Sequence, residues 1–354
     1  MAATNTNGAG AVGPEPFMRS AEALPAIPVE GLTDDPKLWV CFYQGTWVLA
    51  TVVPGIISIQ RSFAPRRGDV VLASPPKSGT TWLKALAFAT MARGAYPPAD
   101  AGHPLLRLNP HQCVPYMESL FTAGKEGAME ALPSPRLMST HMHHSILPTS
   151  ITKNPADCKI IYICRDPKDT LVSFWHFVRK VNPNISFSDM FEAACNGTSV
   201  CGPIWDHVLG YWNASKASPE TVLFLRYEDM LRDPAGNARK LARFVGQPFS
   251  PAEEEAGVVA QIVRLCSIEK LKSLEVNNTG SYGSPFANDW YFRRGGTGDW
   301  ANHMTPDMAR RLDAIVEEKL GGSVPLVRVS EALGTTNKDA RAVLSSSATC
   351  KLLS

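Results

Sequence analysis

Four short, largely apolar runs punctuate the chain: Val70-Val71-Leu72-Ala73, Arg136-Leu137-Met138-Ser139-Thr140, Lys159-Ile160-Ile161-Tyr162-Ile163-Cys164 and Val222-Leu223-Phe224-Leu225. Runs this short and continuous predict strands buried on both faces. Helical patterns alternate with them. Thr80 to Arg93 is apolar nearly all round, as a buried helix is. Pro167 to Lys180 opens on proline and carries acid early, both helix-start signals. Pro234 to Val245 spaces leucine and phenylalanine for one face. The alternation predicts an α/β fold with a central, mostly parallel sheet flanked by helices. Residues 1–30 are rich in Ala, Gly, Pro and Asn and read as a disordered segment, and 331–354 as a flexible tail. No linker or internal repeat divides 31–330, which reads as one domain.

The most membrane-like run, Thr46 to Ile59, is shorter than the ~20 residues a spanning helix needs, and Pro54 interrupts it. A buried or pocket-lining segment is the better reading. The chain start lacks an apolar signal core, so secretion is not expected. Eight cysteines without a CxxC pair fit reduced thiols and a cytoplasmic location. A chain of 354 residues, 44% hydrophobic, can bury a large core. Its 35 basic and 33 acidic residues leave a net charge of only +2, which speaks against a nucleic-acid or membrane partner. Any anion site must be built locally.

Each predicted strand is followed at once by unusual polar residues. Pro75-Pro76-Lys77-Ser78-Gly79-Thr80-Thr81 follows the first, His141 the second, Arg165-Asp166 the third and Arg226-Tyr227-Glu228 the fourth. Ligands of open parallel sheets bind beyond the carboxyl ends of the strands, so these four ends describe one cleft. Gly79 permits close backbone approach, Ser78, Thr80 and Thr81 offer hydroxyls, and the helix start offers free N–H groups. Together they form an anion cradle to which Lys77 adds a point charge. The pattern GxxxxGK[ST] is absent, because Pro76 precedes Lys77. His141 at a strand end facing this loop is a candidate general base.

The segment Pro76-Lys77-Ser78-Gly79-Thr80-Thr81-Trp82 resembles the 5′-phosphosulfate loop of the cytosolic sulfotransferases, and the similarity runs from about Tyr43 to Val327. The resemblance implies a P-loop-like three-layer fold. It also implies transfer of a sulfuryl group from 3′-phosphoadenosine 5′-phosphosulfate (PAPS) to a hydroxyl of a small acceptor. Arg165 and Ser173 then hold the 3′-phosphate, Trp82 and Tyr227 flank the adenine, and Phe292-Arg293-Arg294-Gly295-Gly296 is similar to the late loop that also grips the 3′-phosphate. Paired guanidinium donors suit phosphate oxygens. His141, in its Ser139-Thr140-His141 context, matches the catalytic histidine, and Lys77 stabilises the leaving phosphate. No metal is expected, since fixed cations take that role. Tyr43-Gln-Gly-Thr-Trp47, Asn109-Pro-His111 and Gly202-Pro-Ile-Trp205-Asp-His-Val-Leu-Gly-Tyr-Trp212 resemble plant members in particular.

Three departures stand out. Met142-His143-His144 replaces the Pro-Tyr usual in plant relatives, which suggests that His143 or His144 reshapes the acceptor pocket. As a metal site this run lacks a supporting Cys or carboxylate cluster. Arg294 stands where lysine is usual. The stretch Ala301 to Arg310 does not keep the animal-type dimer segment. Tyr43, Trp47, Tyr116, Trp175 and Phe177 are candidate acceptor-pocket residues. The alternatives are a P-loop kinase or NTPase, with Asp166 on magnesium, and a catalytically inactive nucleotide-binding protein.

Overall fold

The computed structural model describes residues 13–17, 40–153, 158–282 and 286–324. Of the expected disordered start, only 13–17 falls within this set, where the Phe17 N–H donates to the Cys113 carbonyl at 3.1 Å. The C-terminal tail lies outside it. The chain opens on an antiparallel hairpin of β1 (Val40–Tyr43) and β2 (Thr46–Leu49). Its two-residue turn has positive φ at Gln44 (46°) and Gly45 (87°), the geometry that matches strand twist in tight hairpins. The central strands are β3 (Asp69–Ala73), β4 (Leu137–Thr140), β5 (Cys158–Cys164) and β6 (Val222–Arg226). They pair in the order β4-β3-β5-β6, every pair parallel. The four apolar runs are thus the four strands of one sheet.

Alternation along the strands divides the core into two faces. Val71, Met138, Ile160 and Tyr162 point to one side, with Ile56, Val172 and Tyr211. Val70, Leu72, Ile161 and Leu223 point to the other, with Leu86, Phe88 and Leu241. Helices cover both, giving three layers. The Thr46–Ile59 run divides differently from expectation. It forms β2, a short turn and helix α1 (Val53–Ser62), and Pro54 begins that helix rather than interrupting one. Helix α2 (Thr80–Met91) starts directly after the loop that follows β3. Among the described residues no helix is long and apolar enough to cross a membrane.

The sheet floor contains one buried ion pair. Asp69, 0% exposed, accepts from the backbone N–H of Arg66 (2.7 Å) and Arg136 (3.1 Å) and from Arg136 Nε (3.0 Å). It ties the starts of β3 and β4 together. Asp69→Asn would leave the Arg136 guanidinium buried without a counter-charge, costing about 3–5 kcal/mol. The unfolding free energy from a urea titration should fall by that amount, and an unchanged midpoint would contradict the assignment.

The chain runs from β3 to β4 on one side and from β5 to β6 on the other. The crevice this reversal opens lies beyond the carboxyl ends of β3 and β5.

Candidate active site

A cavity of about 570 Å³ occupies that crevice. Lys77, Gly79, Thr80, Thr81, Trp82, His141, Arg165, Ser173, Tyr227, Arg293, Arg294 and Gly295 all line it. Ser78 is the one predicted catalytic or nucleotide-binding residue that does not. It sits under the loop, 1% exposed, and its hydroxyl has no hydrogen-bond partner.

The loop between β3 and α2 is bent tightly. Lys77 adopts φ 66°, unusual for a residue with a Cβ. Gly79 has φ 104°, and a Cβ there would meet the Tyr227 ring at 2.6 Å. Both the backbone angle and the Tyr227 contact therefore require glycine. The Thr80 hydroxyl pairs with Ser74 Oγ at 2.6 Å. Trp82 meets Tyr227 edge-on at 5.6 Å, so these two rings form one aromatic wall.

Lys77 Nζ lies 4.2 Å from the centroid of the Phe177 ring. The cleft leaves it partly accessible, but protein atoms surround it closely. That burial, reinforced by the charges of Arg293, Arg165 and Lys180, pushes its pKa down to about 7. An anion in the cleft would restore the ammonium.

His141 Nδ1 lies 2.6 Å from the Ser74 carbonyl. A carbonyl only accepts, so Nδ1 carries the hydrogen and Nε2 keeps the lone pair. Burial lowers the imidazole pKa to about 4, against an opposing contribution from the Ser74 hydrogen bond. The neutral, base-competent form therefore prevails at neutral pH in the free enzyme. Glu118 Oε1 fixes this corner, accepting from the His141 N–H and the Thr140 hydroxyl, each at 2.8 Å. His207 backs it, with Nε2 3.2 Å from the His141 carbonyl.

Arg165 lies over the Tyr227 ring at 4.8 Å and donates to the Gly296 carbonyl at 2.7 Å. Asp169 pins the late loop by accepting from the N–H groups of Gly298 (2.7 Å) and Trp300 (3.1 Å). Arg293 and Arg294 are both paired with Asp299. Burial pushes the Asp299 carboxyl up, but the bonds from Arg293 and Asn302 outweigh it and hold it at about 2. His176, Asp299 and His303 bring ligand-type atoms within 4.8 Å of one another. Asp299 is already engaged there by two guanidinium groups, a poor setting for a divalent cation.

Some expectations need correction. Neither His143 nor His144 lines the cavity. His143 is 3% exposed and faces the Cys201 carbonyl through Nε2 at 2.9 Å. His144 packs edge-on against Tyr211. Both serve the wall behind β4, because the chain turns away from the cleft after His141. The reading that they shape the acceptor pocket is not supported. Of the five aromatic pocket candidates, Tyr116 and Phe177 line the cavity, whereas Tyr43, Trp47 and Trp175 do not. Tyr43 belongs to the hairpin and donates to Gln60 at 2.9 Å, and Trp175 packs on Phe187.

Among the lining groups that escaped the sequence reading are Lys84, His111 and the Tyr282–Tyr291 pair, whose hydroxyls meet at 2.8 Å. A signal existed for Lys84, a charge in the middle of an otherwise apolar helix. His111 stood in a motif noted for resemblance but given no chemistry.

A phosphate-type helix start, a neutral imidazole and several cationic side chains around one crevice define an α/β group-transfer enzyme. The sulfotransferase domain family matches residues 67–324 of this chain. Cytosolic sulfotransferase 5 of Arabidopsis thaliana is 44% identical over 290 residues, 80% of this chain and 89% of its own length. Flavonol 3-sulfotransferase of Flaveria bidentis is 44% identical over 289 residues, 79% of this chain and 91% of its own. The solved structure of a steroid-sulphotransferase-like protein of Arabidopsis thaliana superposes with a TM-score of 0.65 at 33% identity, covering 85% of this chain and 98% of that one. A mouse sulfotransferase solved with PAP superposes at 0.61 and 28% identity, over 80% and 96%. The chain belongs to the sulfotransferase family and is a sulfotransferase enzyme.

Proposed function

We propose that this sulfotransferase moves the sulfuryl group of PAPS to a hydroxyl of a small, largely apolar acceptor, working in the cytoplasm as one catalytic domain over 31–330. One observation carries the reading: His141 and Lys77 line the same cavity as Arg165 and Arg293, each of which keeps a buried Nε without a partner. Unsatisfied buried donors are costly, and an anionic ligand would satisfy them. The late-loop arginines would exchange Asp299 for the 3′-phosphate. Ser173 and Arg165 would contribute from the other side, and Trp82 and Tyr227 would flank the adenine.

In the transfer step the acceptor oxygen attacks sulfur and gives its proton to His141 Nε2. The bond from sulfur to the 5′-phosphate oxygen breaks, and PAP leaves with the electron pair. Lys77 neutralises the charge gathering on that oxygen. The acceptor end is walled by Leu49, Tyr116, Phe174, Phe177 and Tyr291, which suits a ring system carrying a hydroxyl. The relatives named for flavonol and steroid substrates support that class of acceptor. We retain the expectation that the partner is this small molecule, not nucleic acid or a membrane; the animal-type dimer segment is not kept.

Transfer of radiolabelled sulfate from PAPS to a panel of hydroxylated flavonoids, steroids and phenolic acids tests the reading. We expect transfer that survives EDTA and vanishes without PAPS. Loss in EDTA together with ATP-dependent labelling would favour the kinase alternative. Binding of PAP without transfer to any acceptor would favour an inactive nucleotide-binding protein.

A further inference from the structure

Lys84 is a buried charge that the transfer step leaves unused. It lies one turn along α2 from Thr81, 1% exposed on a helix buried throughout from Leu83 to Met91. Its Nζ stands 3.0 Å from the Val114 carbonyl and 3.0 Å from His111 Nδ1. His111 Nε2 stands 3.0 Å from Thr81 Oγ1. Tyr282 stacks on the same imidazole at 5.1 Å with an interplanar angle of 7°, and Tyr291 lies 4.3 Å away. The ring is therefore held in one orientation.

Donor and acceptor rules give this chain a direction. Below its pKa of about 7 Lys84 is an ammonium, which only donates, so it donates to the Val114 carbonyl and to His111 Nδ1. Nδ1 accepts, so the hydrogen of the neutral imidazole sits on Nε2. The Nε2–H then donates to Thr81 Oγ1. The Thr81 hydroxyl, its oxygen occupied on that side, turns its own hydrogen elsewhere. Thr81 lines the cavity beside Lys77 and Gly79, at the start of α2.

We propose that Lys84 and His111 are positioning residues that hold the Thr81 hydroxyl as a hydrogen-bond donor aimed at the anionic 5′ end of the nucleotide donor. The inference rests on the phosphosulfate reading of the site. Without Lys84, His111 can adopt the other tautomer. Thr81 would then donate to His111 and turn a lone pair toward the anion, converting an attraction into a repulsion. Lys84 needs no contact with the nucleotide to have this effect.

Calorimetric titration, below pH 7 where Lys84 carries its charge, of PAP into the wild type, Thr81→Val, Lys84→Met, His111→Phe and the two double variants with Thr81→Val tests the chain. Binding by the wild type checks the underlying reading, and its failure would count against that reading alone. Hydrogen bonds to charged groups are strong, so each single variant should weaken PAP by about tenfold. Each double variant should bind no more weakly than Thr81→Val, because the upstream residues act through that hydroxyl. The acceptor KM of Lys84→Met should keep its wild-type value, which a general packing defect would not spare. Multiplying losses in the double variants, or undiminished PAP affinity in Lys84→Met or His111→Phe, would overturn the proposal. If Lys84→Met fails to fold, the His111→Phe pair decides the same question, since it keeps a ring between the two tyrosines.

Discussion

Replacement of His141 by asparagine should lower turnover by roughly 10²–10⁴-fold, the usual contribution of a general base, while PAP affinity stays near the wild-type value. Asparagine is the sharper substitution for a geometric reason. His141 Nδ1–H donates to the Ser74 carbonyl, and that carbonyl precedes the anion loop. Alanine would remove the base and leave this acceptor unpaired. The asparagine amide can still donate there but has no group at the Nε2 position. Nucleotide binding should survive because burial already keeps the imidazole neutral in the free enzyme, with its pKa lowered to about 4. No cation is lost with it. The same argument fixes the acid side of the pH profile. His141 becomes protonated only as pH falls toward 4, so donor kcat/KM should show no acid break near 6.5, the ordinary histidine value. A variant that retains more than a tenth of wild-type turnover, with PAP bound normally, would remove His141 from the proton transfer.

Lys77→Met should lower kcat by about 10²–10³-fold, the scale found when a preorganised group that stabilises developing charge is removed. It should also weaken PAP. The pH dependence of binding gives Lys77 a signature of its own. In the free enzyme the Lys77 pKa is pushed down to about 7, first by burial and then by Arg293, Arg165 and Lys180. A bound anion favours the charged form and raises that pKa. Below pH 7 the ammonium is already present, so binding takes up no proton through Lys77. Above pH 7 the free enzyme is neutral there, and binding must take up a proton, so affinity falls as pH rises, by up to about tenfold per unit. Lys84 also titrates near 7, but it is turned toward Val114 and His111. Lys77→Met should therefore abolish most of the proton uptake measured by calorimetry in buffers of different ionisation enthalpy. Unchanged uptake would assign the titration elsewhere and weaken the role given to Lys77.

The fold was largely legible because its signals are local. Val70–Ala73 and Lys159–Cys164 are continuous apolar runs, and only a strand covered on both faces makes such runs stable in water. The polar residues following them identified the cleft, since parallel strands deliver their carboxyl ends to one edge of a sheet. The hairpin at 40–49 was missed because each strand has only four residues, and its turn uses Gln-Gly rather than the commoner Asn-Gly. His143 and His144 were misread because their departure from the Pro-Tyr of plant relatives was taken as a change in the pocket itself. A single change of chain direction after β4 separates them from it.

The sequence by itself determined the anion-type loop, because an anion cradle at a helix start consists of contiguous residues, Lys77 to Trp82, whose backbone makes the site. It also determined the strand ends that carry His141, Arg165 and Tyr227. Only the tertiary structure decided how those groups are tuned. The tautomer of His141 depends on the carbonyl of Ser74, 67 positions away. The pKa of Lys77 depends on burial under Phe177 and on Arg165 and Arg293. The link from Lys84 through His111 to Thr81 exists because the segment at 109–114 folds back on α2. Hydrogen-bond direction and desolvation are set by which distant atoms close around a group, and no spacing along the chain records that.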